Sequence, residues 1–214
     1  MRKWNVCLEF GQVLSEYDRQ LLNRALEECH QVIVFGSRAV GVHAGSSDLD
    51  LFCVGGSEPR RPEKLDIVRR TLCEVESPKW LGSELANHIA AYGVALRGRC
   101  DWKNLVSVGE QSISHKEHRV VALVNGLWRY WDRLHPEFRR KHLITIRREV
   151  QRLELLTNGK AVPPTPILDR NWKRDPKVVD AWATFAERLK TSCLKDHERM
   201  LRTTGLITSS LSSR

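Results

Sequence analysis

Two aspartates one residue apart, Asp48 and Asp50, stand in the stretch VIVFGSRAVGVHAGSSDLDLF between Val32 and Phe52. Side chains alternate faces along a strand, so both carboxylates project to one side while Leu49 and Leu51 anchor the other in the core. Like charges that close repel and tend to keep a proton between them. A hard divalent cation removes the conflict. Magnesium takes oxygen ligands, commonly one or two carboxylates plus substrate phosphates. Two such ions can clamp the attacking and leaving oxygens of a phosphoryl displacement. The pair at this spacing therefore points to metal-assisted phosphoryl chemistry.

The Gly36-Ser37 turn ahead of the pair supplies a complementary element. Glycine lets backbone come close to a phosphate with no Cβ in the way, and N–H groups opening a following helix suit a triphosphate. Ser37 adds a hydroxyl donor. Ser46 and Ser47, just before the acidic strand, are placed to position phosphate or to shape the turn. Arg38 and Lys64 could meet phosphate too, although a solvated position is the simpler expectation for each.

The elements that must hold these residues follow from periodicity and punctuation. SEYDRQLLNRALEECH reads as a helix capped by Ser15, with Leu21, Leu22, Ala25 and Leu26 as its stripe. QVIVFGS is a short buried strand ended by Gly36, RAVGVHAGS a loop or weak helical turn, and DLDLFCV the next strand. GGSEPRRPEK is a turn-rich connection and KLDIV a third strand with the same alternation as DLDLF. SELANHIAAYG is a helix between Ser83 and Gly93, and VALRG a closing strand or an extended tail.

From Ser114 the periods turn helical. SHKEHRVVALVNGLWRYWDRLH opens on a Ser114–Glu117 capping box and ends at Pro136, and EFRRKHLITIRREVQRLELLTNG carries Ile146, Val150 and Leu153 before stopping at Gly159. AVPPTPILDRNW reads as a Pro-rich connection. DPKVVDAWATFAERLKTSCLK places Val178, Trp182, Phe185 and Leu189 on one helix face, and GLITSSLSSR is a loose tail. The expected architecture is α/β (α+β): a small mixed-sheet domain at residues 1–110 and a basic α-helical domain at 111–214, the boundary falling near residues 103 to 114.

Charge divides along the same line. Residues 1–113 carry 14 Lys and Arg against 15 Asp and Glu, whereas residues 114–214 carry 21 against 11. The whole excess behind the net charge of +9 lies in the second half, which favours a polyanionic partner there, RNA or DNA first. Trp128, Arg129, Trp131, Arg133, Arg139, Arg140, Lys141, Arg147, Arg148 and Arg152 could follow a phosphate backbone with Trp or Tyr130 stacking on bases. For Trp128, Trp131 and Trp182 a core position is the stronger expectation. Six scattered cysteines without a CxxC pair exclude zinc spacing and read as reduced thiols. No apolar run is long enough for a membrane span, and MRKWNVCLEFGQ has no signal-peptide core, so a cytoplasmic location is expected.

Strand VIVF, Gly36-Ser37, a loop, then Asp48 and Asp50 between apolar residues resembles the DNA polymerase β-type nucleotidyltransferase superfamily. The motif covers about 21 residues, and roughly the first hundred suit that family's catalytic domain. The resemblance implies transfer of a nucleoside monophosphate from an NTP to an acceptor hydroxyl, with release of pyrophosphate and two Mg2+ ions as cofactors. It also implies a third carboxylate on an adjacent strand. Asp66 in KLDIV, flanked by Leu65 and Ile67, is the first choice; Glu74, Glu76 and Asp101 are rivals. The site would then comprise Asp48, Asp50 and Asp66 as catalytic and metal residues, with Gly36, Ser37 and Ser47 on the nucleotide. His88 and Tyr92, in the segment after the metal strands, read as packing residues. An RNA end agrees best with the charge as acceptor. A partner protein, as in antitoxin-like members, an aminoglycoside-type small molecule, and a nucleotide-binding module without turnover are the alternatives.

Overall fold

The computed structural model describes residues 14–56 and 64–172 and divides the chain into two compact units, Met1–Ser107 and Val108–Arg214. The segment DPKVVDAWATFAERLKTSCLK, including Trp182, the C-terminal tail and most of the GGSEPRRPEK connection lie outside the described residues.

In the first unit the order is α1 (Glu16–Glu28), β1 (Gln31–Phe35), α2 (Gly36–Ala39), β2 (Leu49–Val54), β3 (Leu65–Arg70), α3 (Leu72–Val75), α4 (Pro78–Leu81), α5 (Glu84–Tyr92) and β4 (Val94–Arg97), followed by a 3-10 turn at Asp101–Leu105. The strands form one mixed sheet in the order β3-β2-β1-β4. β1 pairs antiparallel with β2 and β4, while β2 and β3 run parallel. Ser15 caps α1 by accepting the N–H of Asp18, and Ser83 caps α5 by accepting that of Ala86. VALRG is a paired strand rather than a tail.

Both faces of the two central strands are covered, which is why VIVF and LDLFCV read as near-continuous apolar runs. On one face Leu49, Leu51, Cys53, Val32 and Val34 pack with Leu21, Leu22 and Ala25 of α1. On the other, Ile33, Phe35, Phe52 and Val54 meet Trp80, Ala86, Ile89 and Trp102. Phe52 and Trp80 stack with centroids 4.8 Å apart. The indole N–H of Trp102 donates to Gln31 Oε1 at 2.9 Å, which satisfies two buried polar groups at once.

The second unit contains α6 (Glu110–Arg129), α7 (Pro136–Thr157) and α8 (Thr165–Trp172), with a 3-10 turn at Trp131–Arg133. α6 starts at Glu110, before the expected Ser114, because Ser114 lies inside the helix with its carbonyl bonded to His118 Nδ1 at 2.8 Å. Pro136 opens α7 rather than closing the preceding helix, as suits a residue lacking an N–H at the first helical position. Gly159 takes φ +67° just past the end of α7, and the stretch expected as a connection forms α8 in its second half. Val120, Val124 and Leu127 of α6 pack on Ile146, Val150 and Leu153 of α7, with Trp131 partly buried against them. At a site with very little solvent, Lys116 Nζ meets Glu149 Oε2 at 2.7 Å. These two lie about equally far from the connecting turn, so α6 and α7 form an antiparallel hairpin.

Among the described residues no helix is long and apolar enough to cross a membrane. Cys29, Cys53, Cys73 and Cys100 are free thiols, the first two buried and Cys73 exposed.

Candidate active site

The parallel pairing of β2 with β3 places the acidic residues. Its register sets Asp50 opposite Asp66, and the antiparallel pairing on the other side sets Asp50 opposite Phe35. Phe35, Asp50 and Asp66 thus form one row across the sheet, on the face that carries Phe52 and Val54 one and two rows further on. The apolar cluster ends at Phe35, and the acids begin there.

Asp50 is half-buried, while Asp48, just ahead of β2, and Asp66 are exposed. Loss of solvent at Asp50, then the charges of Asp66 and Asp48, raise its pKa to about 6, and Arg38 opposes this only in part. The carboxylates therefore share one electrostatic environment with excess negative charge. An oxygen-only donor set of this kind suits a hard divalent ion. Among the described residues no three His, Cys, Asp or Glu side chains are gathered into a group able to hold a metal ion. The acids are neighbours in charge, not an assembled ligand cage.

Gly36 has φ +72°, and a Cβ at this position would stand 1.9 Å from Asp50 Oδ2 and 2.9 Å from its carboxyl carbon. Close approach accounts for the glycine, as the sequence suggested, but the group that approaches is the Asp50 carboxylate. Ser37 follows in α2, its carbonyl accepting from the Val42 N–H at 3.0 Å. Ser47 shapes its own turn: its hydroxyl accepts from the Ala44 N–H at 3.1 Å.

Arg38 departs from its expected solvated position. It is buried, its Nε donates to the Ser47 carbonyl at 2.9 Å and the Asp48 carbonyl at 3.2 Å, and a second nitrogen donates to Ser47 at 2.5 Å. The planar guanidinium thereby fastens the backbone that leads into β2 and fixes the start of the acidic strand. Asp18 of α1 performs the corresponding task for β3: its buried Oδ2 accepts from the Lys64 N–H at 3.1 Å, one residue before the strand. Neither role was readable from local pattern, because each depends on a partner distant in the chain or hidden by burial.

The rival acids have other work. Glu74 closes a capping box with Thr71, and these hydrogen bonds hold its carboxyl below the usual range. The motif TLCE carried that signal. Glu76 ends the same short helix, and Asp101 pairs with Arg99 at 2.8 Å. His88 packs edge-on against Phe35 with centroids 6.0 Å apart and against Tyr92 at 5.4 Å, in keeping with a packing role beside the acidic row.

Residues 19–99 match the family model of the nucleotidyltransferase domain. The chain carries such a domain, of the polymerase β-like type, and the domain is that of a nucleotidyltransferase enzyme. Members of this superfamily generally use a divalent metal and an NTP. No curated protein matches the chain significantly. Among solved structures, the chain is similar to a toxin–antitoxin with AMP-PNP at 18% identity, over 48% of this chain and 86% of that one, with a TM-score of 0.29. It is also similar to a nucleotidyltransferase-like protein from Exiguobacterium sibiricum 255-15 at 14% identity, over 96% of this chain and 76% of that one, with a TM-score of 0.41.

Proposed function

We propose that residues 1–110 form the catalytic domain of a transferase that moves an NMP from an NTP to a hydroxyl at an RNA end, which the basic domain at 111–214 holds. The observation that supports this most is the registered pair Asp50 and Asp66, with Asp50 pressed against Gly36 and its proton affinity raised. Asp48 and Asp50, with Asp66 completing the set, would hold two Mg2+ ions. Bound there, the ions would offset the negative charge of the triphosphate and the charge that develops in the displacement.

The chain's own groups do the rest. The Gly36-Ser37 turn presents backbone and a hydroxyl to the phosphates, and Ser47 retains an O–H to donate while its oxygen caps the turn. The acceptor oxygen bonds to the α-phosphorus as the bond to the bridging β-phosphate oxygen breaks. Asp66, exposed at the edge strand, takes the acceptor's proton, and pyrophosphate departs. Positioning by Arg38 and Asp18 keeps β2 and β3 aligned for this displacement. The excess of basic residues after position 114 supports RNA over a cationic drug. Free thiols suit a reducing cytoplasmic setting.

The test is incubation with α-phosphate-labelled NTP, Mg2+ and, in parallel, total RNA, protein or aminoglycosides. Label entering RNA, with none entering from γ-labelled NTP, is the expected result. Label in a protein or drug transfers the proposal to that acceptor. Nucleotide bound but transferred to none of the three marks a binding module instead.

A further inference from the structure

The lysines and arginines of α6, α7 and the turn between them fall into two groups with different surroundings. Lys116 is buried against Glu149, which also meets Arg152 at 2.8 Å and Arg119 at 3.5 Å. Arg147 and Arg148 both bind the Asp169 carboxylate of α8, and Arg152 also donates to Thr165 Oγ1 at 3.1 Å. These side chains tie α6, α7 and α8 together. Arg147, Arg148 and Arg152, expected to follow a phosphate backbone, are engaged inside the fold.

The tip of the α6–α7 hairpin is different. Between Arg129 and His142 the chain has five cations against two acids. Arg139 is structural, donating to the Leu134 carbonyl at 2.9 Å and lying over the Trp131 ring at 5.2 Å. Arg129, Arg133, Arg140 and Lys141 are exposed and make no ion pair among the described residues. Two large aromatic residues stand out with them, Tyr130 at 48% exposure and Phe138 at 56%, and the Lys141 ammonium sits 5.7 Å from the Phe138 centroid. Only the short turn and the first turns of α7 separate these residues, so they share one end of the hairpin.

Exposed aromatic faces among unpaired cations are what single-stranded nucleic acid recognition uses. Bases stack on rings of any sequence, and phosphates meet the charges. A duplex hides its base faces, and an acidic polypeptide has none to stack. We propose that this hairpin tip is the single-stranded RNA contact surface of the chain, with Tyr130 and Phe138 as stacking platforms and Arg129, Arg133, Arg140 and Lys141 on phosphates. This deepens the acceptor reading given above and rests on it. Binding measured without NTP nevertheless separates failure of the surface from failure of the catalysis.

The experiment is fluorescence anisotropy of the full chain with a labelled single-stranded RNA of about a dozen nucleotides. The same sequence as a duplex and a polyglutamate peptide of matched charge serve as competing probes. Single-stranded RNA should bind best. Tyr130→Ala and Phe138→Ala should each weaken it about tenfold. Arg133→Glu with Arg140→Glu and Lys141→Glu should weaken it further and flatten the log–log salt slope by about 2. Arg148→Gln, an internal ion-pair change, should lower the melting temperature and leave RNA affinity within about twofold. Any one of three results overturns the proposal: unchanged affinity in the aromatic variants, equal binding of duplex or polyglutamate, or an Arg148→Gln loss as large as that of the tip variants.

Discussion

The Asp50 carboxylate occupies the space that a Cβ on Gly36 would need, its Oδ2 falling 1.9 Å from that position. A left-handed glycine at the end of β1 and an acid at the start of β2 are thus one device. Gly36→Ala imposes both an unfavourable φ and a displaced carboxylate, and should cost about 2 kcal/mol or more. Urea unfolding would measure the loss. NTP-dependent transfer should fall further than stability at temperatures where the variant remains folded.

Asp50 carries its own pH signature. Its folded pKa, raised from 3.8 to about 6, exceeds the unfolded one, so the folded chain favours the protonated acid. The ionised group then detracts from stability, and the loss grows as pH rises from about 4 through about 6. Two pKa units correspond to about 2.7 kcal/mol, which partial solvent access reduces to about 1–2 kcal/mol. Without divalent ions, Asp50→Asn should raise the melting temperature at pH 8 and leave it nearly unchanged at pH 4. Mg2+ should stabilise the natural chain at pH 8, less so at pH 5, and do little for the variant. Calorimetry across pH with and without Mg2+ checks all three.

Arg38 should behave as a clamp on the entry to β2. Arg38→Met leaves the Ser47 and Asp48 carbonyls without their buried donor and should cost about 1–3 kcal/mol. Arg38→Lys keeps the charge but not the planar fork, so it should recover little of the loss. Transfer kinetics at a temperature where both variants are folded should show a lowered kcat in each, with NTP binding less affected.

In the helical unit, burial would raise the Glu149 pKa, but the hydrogen bond and charge of Lys116, with Arg152 and Arg119, outweigh it and leave the carboxyl below its usual range. Its contribution to stability is therefore full above the ordinary carboxylate pKa and lost as pH falls through the folded value. Glu149→Gln should cost about 3–5 kcal/mol at pH 7 by removing the carboxylate that faces the buried Lys116 ammonium, and less at low pH. Combining it with Lys116→Met should return much of the stability, because the buried charge then goes as well. Thermal melts of both variants at two pH values decide this.

What the sequence revealed, and what it hid, follows the range of each interaction. The strands around Val32–Val34, Leu49–Leu51 and Leu65–Ile67 were legible because alternation and flanking glycines are local, and α5 because Ser83 and Gly93 bracket it. The shared face of Asp50 and Asp66 was legible in parity but not in register, since pairing across a parallel sheet depends on residues distant in the chain. Arg38 was misread because a guanidinium serving backbone carbonyls looks, in sequence, like any surface arginine. Arg147 and Arg148 were misread for the same reason: their partner, Asp169, lies in a helix that the prolines disguised as a connection. The start of α6 was missed because Ser114 and Glu117 imitate a cap inside a longer helix.

NMP transfer by Asp50→Asn at saturating Mg2+ and NTP, with nucleotide binding measured on the same preparation, decides whether the acidic row takes part in the chemistry. Loss of a carboxylate that anchors the charge of the displacement should lower transfer about a thousandfold or more while the variant stays folded and still binds NTP. Transfer within about threefold of the natural chain would mean that the row of Phe35, Asp50 and Asp66 has no part in the chemistry.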